Sequence, residues 1–130
     1  MYKVLIADDQ AIIRQGLRIL LRGCPEFQVI GEASDGDEAL ERSLSLQPEL
    51  VLTDLKMPGI SVIEGAKQLK SVYPGIKVII LTALDESEDV YKAMRAGVDG
   101  YLMKDTEPEV IISVLRKVMT GEHVFRSSQE

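Results

Sequence analysis

Residues 51–59 read VLTDLKMPG, an apolar run that ends on a carboxylate and then breaks. Leu50, Val51 and Leu52 lead into Thr53 and Asp54, and Met57-Pro58-Gly59 forbids any regular continuation. A strand without polar alternation is one buried on both faces, the pattern of a parallel sheet covered by helices. An aspartate closing such a strand is most often only a turn former. The rest of the chain decides whether it is more.

Working outward, the same switch between strand and helix character repeats on both sides. Lys3–Ala7 (KVLIA), Phe27–Ala33, Leu50–Thr53, Lys77–Thr82 (KVIILT) and Gly100–Met103 read as strands. Between them lie helical spacings. Ala11–Arg22 places Ile13, Leu17, Leu20 and Leu21 on one face and is ended by Gly23 and Pro25. Asp37–Leu46 turns Ala39, Leu40 and Leu44 inward, and Val62–Val72 forms a third helix. Glu86–Ala96, closed by Gly97, has only the thin apolar face of Val90, Ala93 and Met94. Glu107–Thr120 carries a stripe of Val110, Ile111, Val114, Leu115, Val118 and Met119 before Gly121. Five strands alternating with five helices predict an α/β fold: a doubly wound, five-stranded parallel sheet in the order 2-1-3-4-5. The segment from Glu122 to Glu130 is polar and unpatterned, and reads as a tail or the start of a linker.

Composition limits the function. At 130 residues the chain has one domain's worth of core, and 45% hydrophobic with 28% charged residues is ordinary globular usage. No apolar run approaches a membrane span, and Met1-Tyr2-Lys3 leads straight into a strand, so a cytoplasmic protein without membrane contact is expected. Cys24 is the one cysteine, which removes intrachain disulfides and cysteine metal clusters. A formal net charge of −6 argues against direct binding to nucleic acid, which needs a surplus of Lys and Arg.

In an open doubly wound sheet, ligands gather at the carboxyl ends of the strands, where strand order reverses. Here the first strand ends in Asp8-Asp9, the third in Asp54, the fourth in Thr82 and the fifth in Lys104. Each has an ordinary reading: Asp8 and Asp9 as helix caps, Thr82 as a strand former, Lys104 as a solvated turn charge. Together they are less ordinary. Three carboxylates at one sheet edge repel one another unless a cation compensates, and an all-oxygen donor set suits Mg²⁺. Zinc is disfavoured because His123 and Cys24 lie outside the set.

LIADDQ, VLTDLKMPG, VIILTAL and GYLMKD, in this order and spacing, resemble the receiver domain of two-component response regulators, over about Lys3 to Gly121. The GYLMKDTEPEVI and TGEHVF stretches are most similar to the subfamily whose receivers precede a LuxR-type helix-turn-helix output domain. The resemblance implies a flavodoxin-like receiver over residues 1–121, with residues 122–130 leading toward an output domain not in this chain. It implies that Asp54 accepts a phosphoryl group from a sensor histidine kinase, while Asp8, Asp9 and the Lys56 backbone carbonyl join Asp54 around Mg²⁺. Thr82 and Lys104 would contact phosphoryl oxygens, and Tyr101 would be the aromatic switch residue. A second copy of the chain as partner on phosphorylation is also implied, with DNA bound only through the output domain. Family members often carry Asp-Gly where this chain has Ser61-Val62, and Lys-Pro, with a cis peptide, where it has Lys104-Asp105.

Other classes fit less well. A haloacid-dehalogenase-type phosphatase would need an Asp-x-Asp on its first strand, which ADDQ lacks. A flavodoxin-like cofactor binder would need a Ser/Thr/Gly-rich phosphate loop where this chain has Asp-Asp-Gln. An interaction module that is never phosphorylated normally loses a key residue, and all are present. The chain is therefore expected to modify only itself rather than turn over an external substrate.

Overall fold

The computed structural model describes residues 1–83 and 87–126. Among these the elements run β1 (Tyr2–Ala7), α1 (Ala11–Arg22), β2 (Phe27–Ala33), α2 (Gly36–Leu46), β3 (Leu50–Thr53), α3 (Val62–Val72), β4 (Lys77–Thr82), α4 (Ser87–Arg95), β5 (Gly100–Met103), α5 (Pro108–Met119) and β6 (Val124–Phe125). One all-parallel sheet has the order β2-β1-β3-β4-β5-β6.

Because side chains alternate across a strand, the aliphatic runs feed two cores at once. Val4, Ile6, Leu50, Leu52, Ile79 and Leu81 pack against α1 and α5. Leu5, Val51, Val78, Ile80 and Tyr101 face the other layer, where α3 supplies Val62, Ala66 and Leu69 and α4 supplies Ala93. Leu52 and Ile80 are essentially without exposure, so truncating either to alanine costs about 2–5 kcal/mol.

Helix starts follow local chemistry. Asp35 caps α2, its carboxylate accepting from Glu38 N–H at 2.7 Å, so the helix begins at Gly36. Ser61, standing where relatives of the resembled family often have aspartate, caps α3 by accepting from Glu64 N–H at 3.4 Å. Pro108 opens α5, where its missing N–H has no cost. The turn into α2 is pressed against the loop after β3. Gly36 N–H donates to Pro58 O at 2.8 Å, and a Cβ on Gly36 would lie 2.0 Å from the Ile60 carbonyl oxygen.

Three expectations need correction. The sheet has a sixth strand: Val124 N–H donates to Asp99 O (3.0 Å) and Arg126 N–H to Tyr101 O (2.9 Å), so part of the segment read as a tail extends the sheet edge. Leu44, expected inside, is 38% exposed, because it lies at the margin of α2's apolar face. Met94 is 53% exposed, leaving Ala93 and the half-buried Val90 to anchor α4. That helix runs from Ser87 to Arg95, and its expected start at Glu86 lies outside the described residues. Among the described residues there are no cis peptide bonds, so the Lys104–Asp105 bond is trans. None of their helices is long and apolar enough to cross a membrane.

Candidate functional site

Strand register brings the polar strand ends to one level. Ala7 pairs with Thr53, and the ladder continues for one more bond: Asp54 N–H donates to Ala7 O at 2.8 Å, and Asp8 N–H to Ala33 O at 3.0 Å. Lys104 N–H donates to Thr82 O at 2.7 Å. The backbones of Asp8, Asp54 and Lys104 are thus held by the sheet itself, although none belongs to a strand.

Carboxylate oxygens of Asp8, Asp9 and Asp54 all lie within 4.8 Å of one another. Asp8 and Asp54 are buried, whereas Asp9 is exposed. Lys104 reaches in from the other side, its Nζ 2.8 Å from Asp8 Oδ2 and 3.5 Å from Asp54 Oδ2. Asp54 Oδ1 accepts from Leu55 N–H at 2.8 Å, and Asp8 Oδ1 from Gln10 N–H at 2.9 Å.

Burial pushes the Asp54 carboxyl above its ordinary pKa, the Lys104 ammonium pulls it back, and the Asp8 charge adds to the rise. For Lys104, burial alone would lower the pKa. The hydrogen bond to Asp8 and the charges of Asp54 and Asp8 together outweigh it and raise the ammonium above its usual value. The donor set is hard, all-oxygen and partly open, which fits a divalent cation of the magnesium kind.

Thr82 is buried at the end of β4, and Tyr101 is wholly buried on β5 opposite Ile80, on the same sheet face. Tyr101 belongs to the core that Phe125 of β6 also touches. Lys56 places its Nζ 3.4 Å from Asp89 Oδ2 on α4.

Sequence reasoning gave no role to two features. Arg14 of α1 donates from Nη1 to the Asp8 backbone oxygen (2.6 Å) and from Nε to Glu32 Oε1 (2.7 Å), while Arg18 Nε takes the other Glu32 oxygen. At the opposite end of the sheet, buried Asp99 receives Lys70 Nζ at 2.7 Å and Val78 N–H at 2.8 Å. The spacing of Arg14 and Arg18, four apart on one helix face, was the available signal for the first.

Known proteins resemble this chain over most of its length. The family model described as the response regulator receiver domain matches residues 4–116. The transcriptional regulatory protein YxjL of Bacillus subtilis (strain 168) is 40% identical over 125 residues, covering 96% of this chain and 57% of that protein. The nitrate/nitrite response regulator protein NarL of Escherichia coli (strain K12) is 36% identical, covering 94% of this chain and 56% of NarL. The chain therefore spans little more than half the length of these curated relatives. A two-component response regulator of the LuxR family from Aurantimonas sp. SI85-9A1 superposes with a TM-score of 0.91 at 27% identity, covering 99% of this chain and 91% of that one.

Proposed function

The chain belongs to the response regulator receiver domain family, and from that premise we propose that it is a phosphorylation-operated switch whose acceptor is Asp54. The observation that carries this reading is the buried Asp54, at a strand end, sharing its surroundings with the Asp8 and Asp9 carboxylates and the Lys104 ammonium.

In the proposed reaction an Asp54 carboxylate oxygen attacks the phosphorus of a phosphohistidine on a sensor kinase. A P–O bond forms as the P–N bond breaks, and the electron pair returns to the imidazole nitrogen. The Leu55 N–H on Oδ1 orients the carboxylate and leaves Oδ2, the oxygen nearer Lys104, as the natural nucleophile. Lys104 turns its ammonium to the incoming phosphoryl oxygens, and the Thr82 hydroxyl donates to another, since phosphoryl transfer is mostly positioning and electrostatics. Mg²⁺, when held by Asp8, Asp9, Asp54 and the Lys56 carbonyl, supplies further neutralisation of phosphoryl charge. Water later hydrolyses the acyl phosphate, so the domain acts on itself alone.

The output follows from the same contacts. A charge-assisted hydrogen bond from Thr82 to the phosphoryl group is worth about 1.5–3 kcal/mol, enough to shift a two-state ratio roughly ten- to hundredfold. Tyr101, on the same face of the neighbouring strand, reads the position of Thr82 and hands it to α4, β5 and α5. Residues 1–121 form the receiver proper in this reading, with β6 laid along its edge. A second copy of the chain, or a LuxR-type DNA-binding segment elsewhere in the protein, receives the signal and regulates transcription in the cytoplasm.

The test is a mass measurement. Treatment with acetyl phosphate and Mg²⁺ is expected to add one phosphoryl group to the wild type and none to Asp54→Asn. Equal incorporation in both would remove Asp54 as acceptor.

A further inference from the structure

We propose that Arg14 is a positioning residue for the acidic cluster: it fixes the peptide joining Asp8 to Asp9 and so sets where both carboxylates point. The inference rests on the reading that this cluster holds Mg²⁺.

The Asp8 backbone oxygen, which accepts from Arg14 Nη1 at 2.6 Å, belongs to the peptide plane between the two aspartates. Rotation of that plane would swing Asp9, whose exposed side chain has little packing to restrain it, relative to Asp8. Asp8 is already tied on its N–H side, to Ala33 O at 3.0 Å, and through Oδ1 to Gln10 N–H at 2.9 Å. Its carbonyl side is the part that Arg14 secures.

The guanidinium is itself held. Arg14 Nε donates to Glu32 Oε1 at 2.7 Å, and the Arg14 side chain is only 19% exposed. A planar fork can serve a carbonyl and a carboxylate with two different nitrogens at once, which a lysine's single ammonium does poorly at this spacing. Arg14 thus braces three elements together: the end of β1, α1 and β2.

Arg18 provides the control that separates positioning from stability. It grips the same Glu32 carboxylate through the other oxygen but forms no hydrogen bond or ion pair with Asp8. Any effect that comes merely from loosening Glu32 will appear in both arginine variants.

The experiment is an Mg²⁺ titration of the purified chain, followed through backbone amide shifts of Asp9 and Gln10, with thermal melts recorded without metal. Arg14→Ala is expected to weaken Mg²⁺ affinity by about tenfold, the usual scale for groups that orient metal ligands. Arg14→Lys, the milder variant, is expected to weaken it as well, while Arg18→Ala stays within about twofold of wild type. At saturating Mg²⁺ the rate of phosphoryl incorporation in Arg14→Ala should recover, because the nucleophile is untouched. Unchanged affinity in both Arg14 variants, or an equal loss in Arg18→Ala, would overturn the positioning role alone. A wild type with intact fold that bound no Mg²⁺ would instead overturn the switch reading, and this proposal with it.

Discussion

Two buried lysine–carboxylate pairs sit at opposite ends of the same sheet, and they are built to opposite purposes. At the amino end of β5, Asp99 is met by Lys70 Nζ, by Val78 N–H and, at 3.5 Å, by His123 Nε2; Lys70 also donates to the Ile76 carbonyl. Lys70 and Val78 both donate to the one carboxylate. At the carboxyl ends of β1, β3 and β5, the carboxylates of Asp8, Asp9 and Asp54 cluster while Lys104 pairs with two of them, Asp8 and Asp54, so acids outnumber the ammonium. The balanced end behaves as a rivet. In the proposed switch, the unbalanced end holds its acids in readiness for a cation and a phosphoryl group.

The contrast predicts a large effect first at the rivet. Asp99→Ala strands the Lys70 ammonium in a site where it is 18% exposed, and is expected to cost about 3–5 kcal/mol in denaturant unfolding. A loss under about 1 kcal/mol would mean the pair is screened like a surface bridge.

A smaller effect, of opposite sign, is expected at the other end. Without Mg²⁺, Asp54→Asn should gain about 1 kcal/mol at neutral pH, as is common when strain at a functional site is relieved. Burial raises the Asp54 pKa in the folded chain, so the fold binds that proton more tightly than the unfolded chain does. The stability this group contributes is complete below the ordinary carboxylate range and is lost as pH rises through the raised value. The advantage of Asp54→Asn should therefore vanish in acid, and melts in chelator across pH will show it. An advantage independent of pH would erase the distinction between the two ends.

The smallest effect concerns which end responds. Acetyl phosphate with Mg²⁺ should move the amides of Asp8, Leu55, Lys104 and Tyr101 while those of Lys70, Val78 and Asp99 stay still. Thr82→Ala should continue to accept the phosphoryl group, more slowly, but lose most of the Tyr101 shift. A Tyr101 response equal to that of wild type would uncouple Thr82 from the output.

Much of the unbalanced end was legible because strand periodicity is a local signal and topology does the rest. Once Leu50–Thr53 and Lys77–Thr82 read as doubly buried strands, parallel connection carried Asp8, Asp9, Asp54, Thr82 and Lys104 to one edge. The rivet was not legible. Asp99 and Lys70 are 29 residues apart, and nothing near either residue announces the other. Arg14 and Glu32, 18 apart, were hidden in the same way. The sixth strand escaped because two residues, Val124 and Phe125, carry no period, and only the edge of β5 makes them a strand. Leu44 and Met94 show a different limit: helical spacing names a face, but how far the neighbouring layer covers it is a tertiary matter.

The contact between Gly36 and the loop after Asp54 changes how substitution data on this chain should be read. One added methyl at position 36 would overlap the main chain of Ile60, and main chain cannot rotate aside as a side chain can. At Gly59 the nearest obstruction is the flexible tip of Asp37, with the Asp37 main-chain nitrogen behind it at 3.2 Å, and the backbone there sits at φ +90°. In a saturation scan scored by signalling, Gly36 would register as intolerant as the proposed acceptor Asp54 while touching no reacting atom. Rescue separates the two cases: Gly36 variants should regain function when a second change shortens or reshapes the loop at Ile60, and Asp54 variants should not.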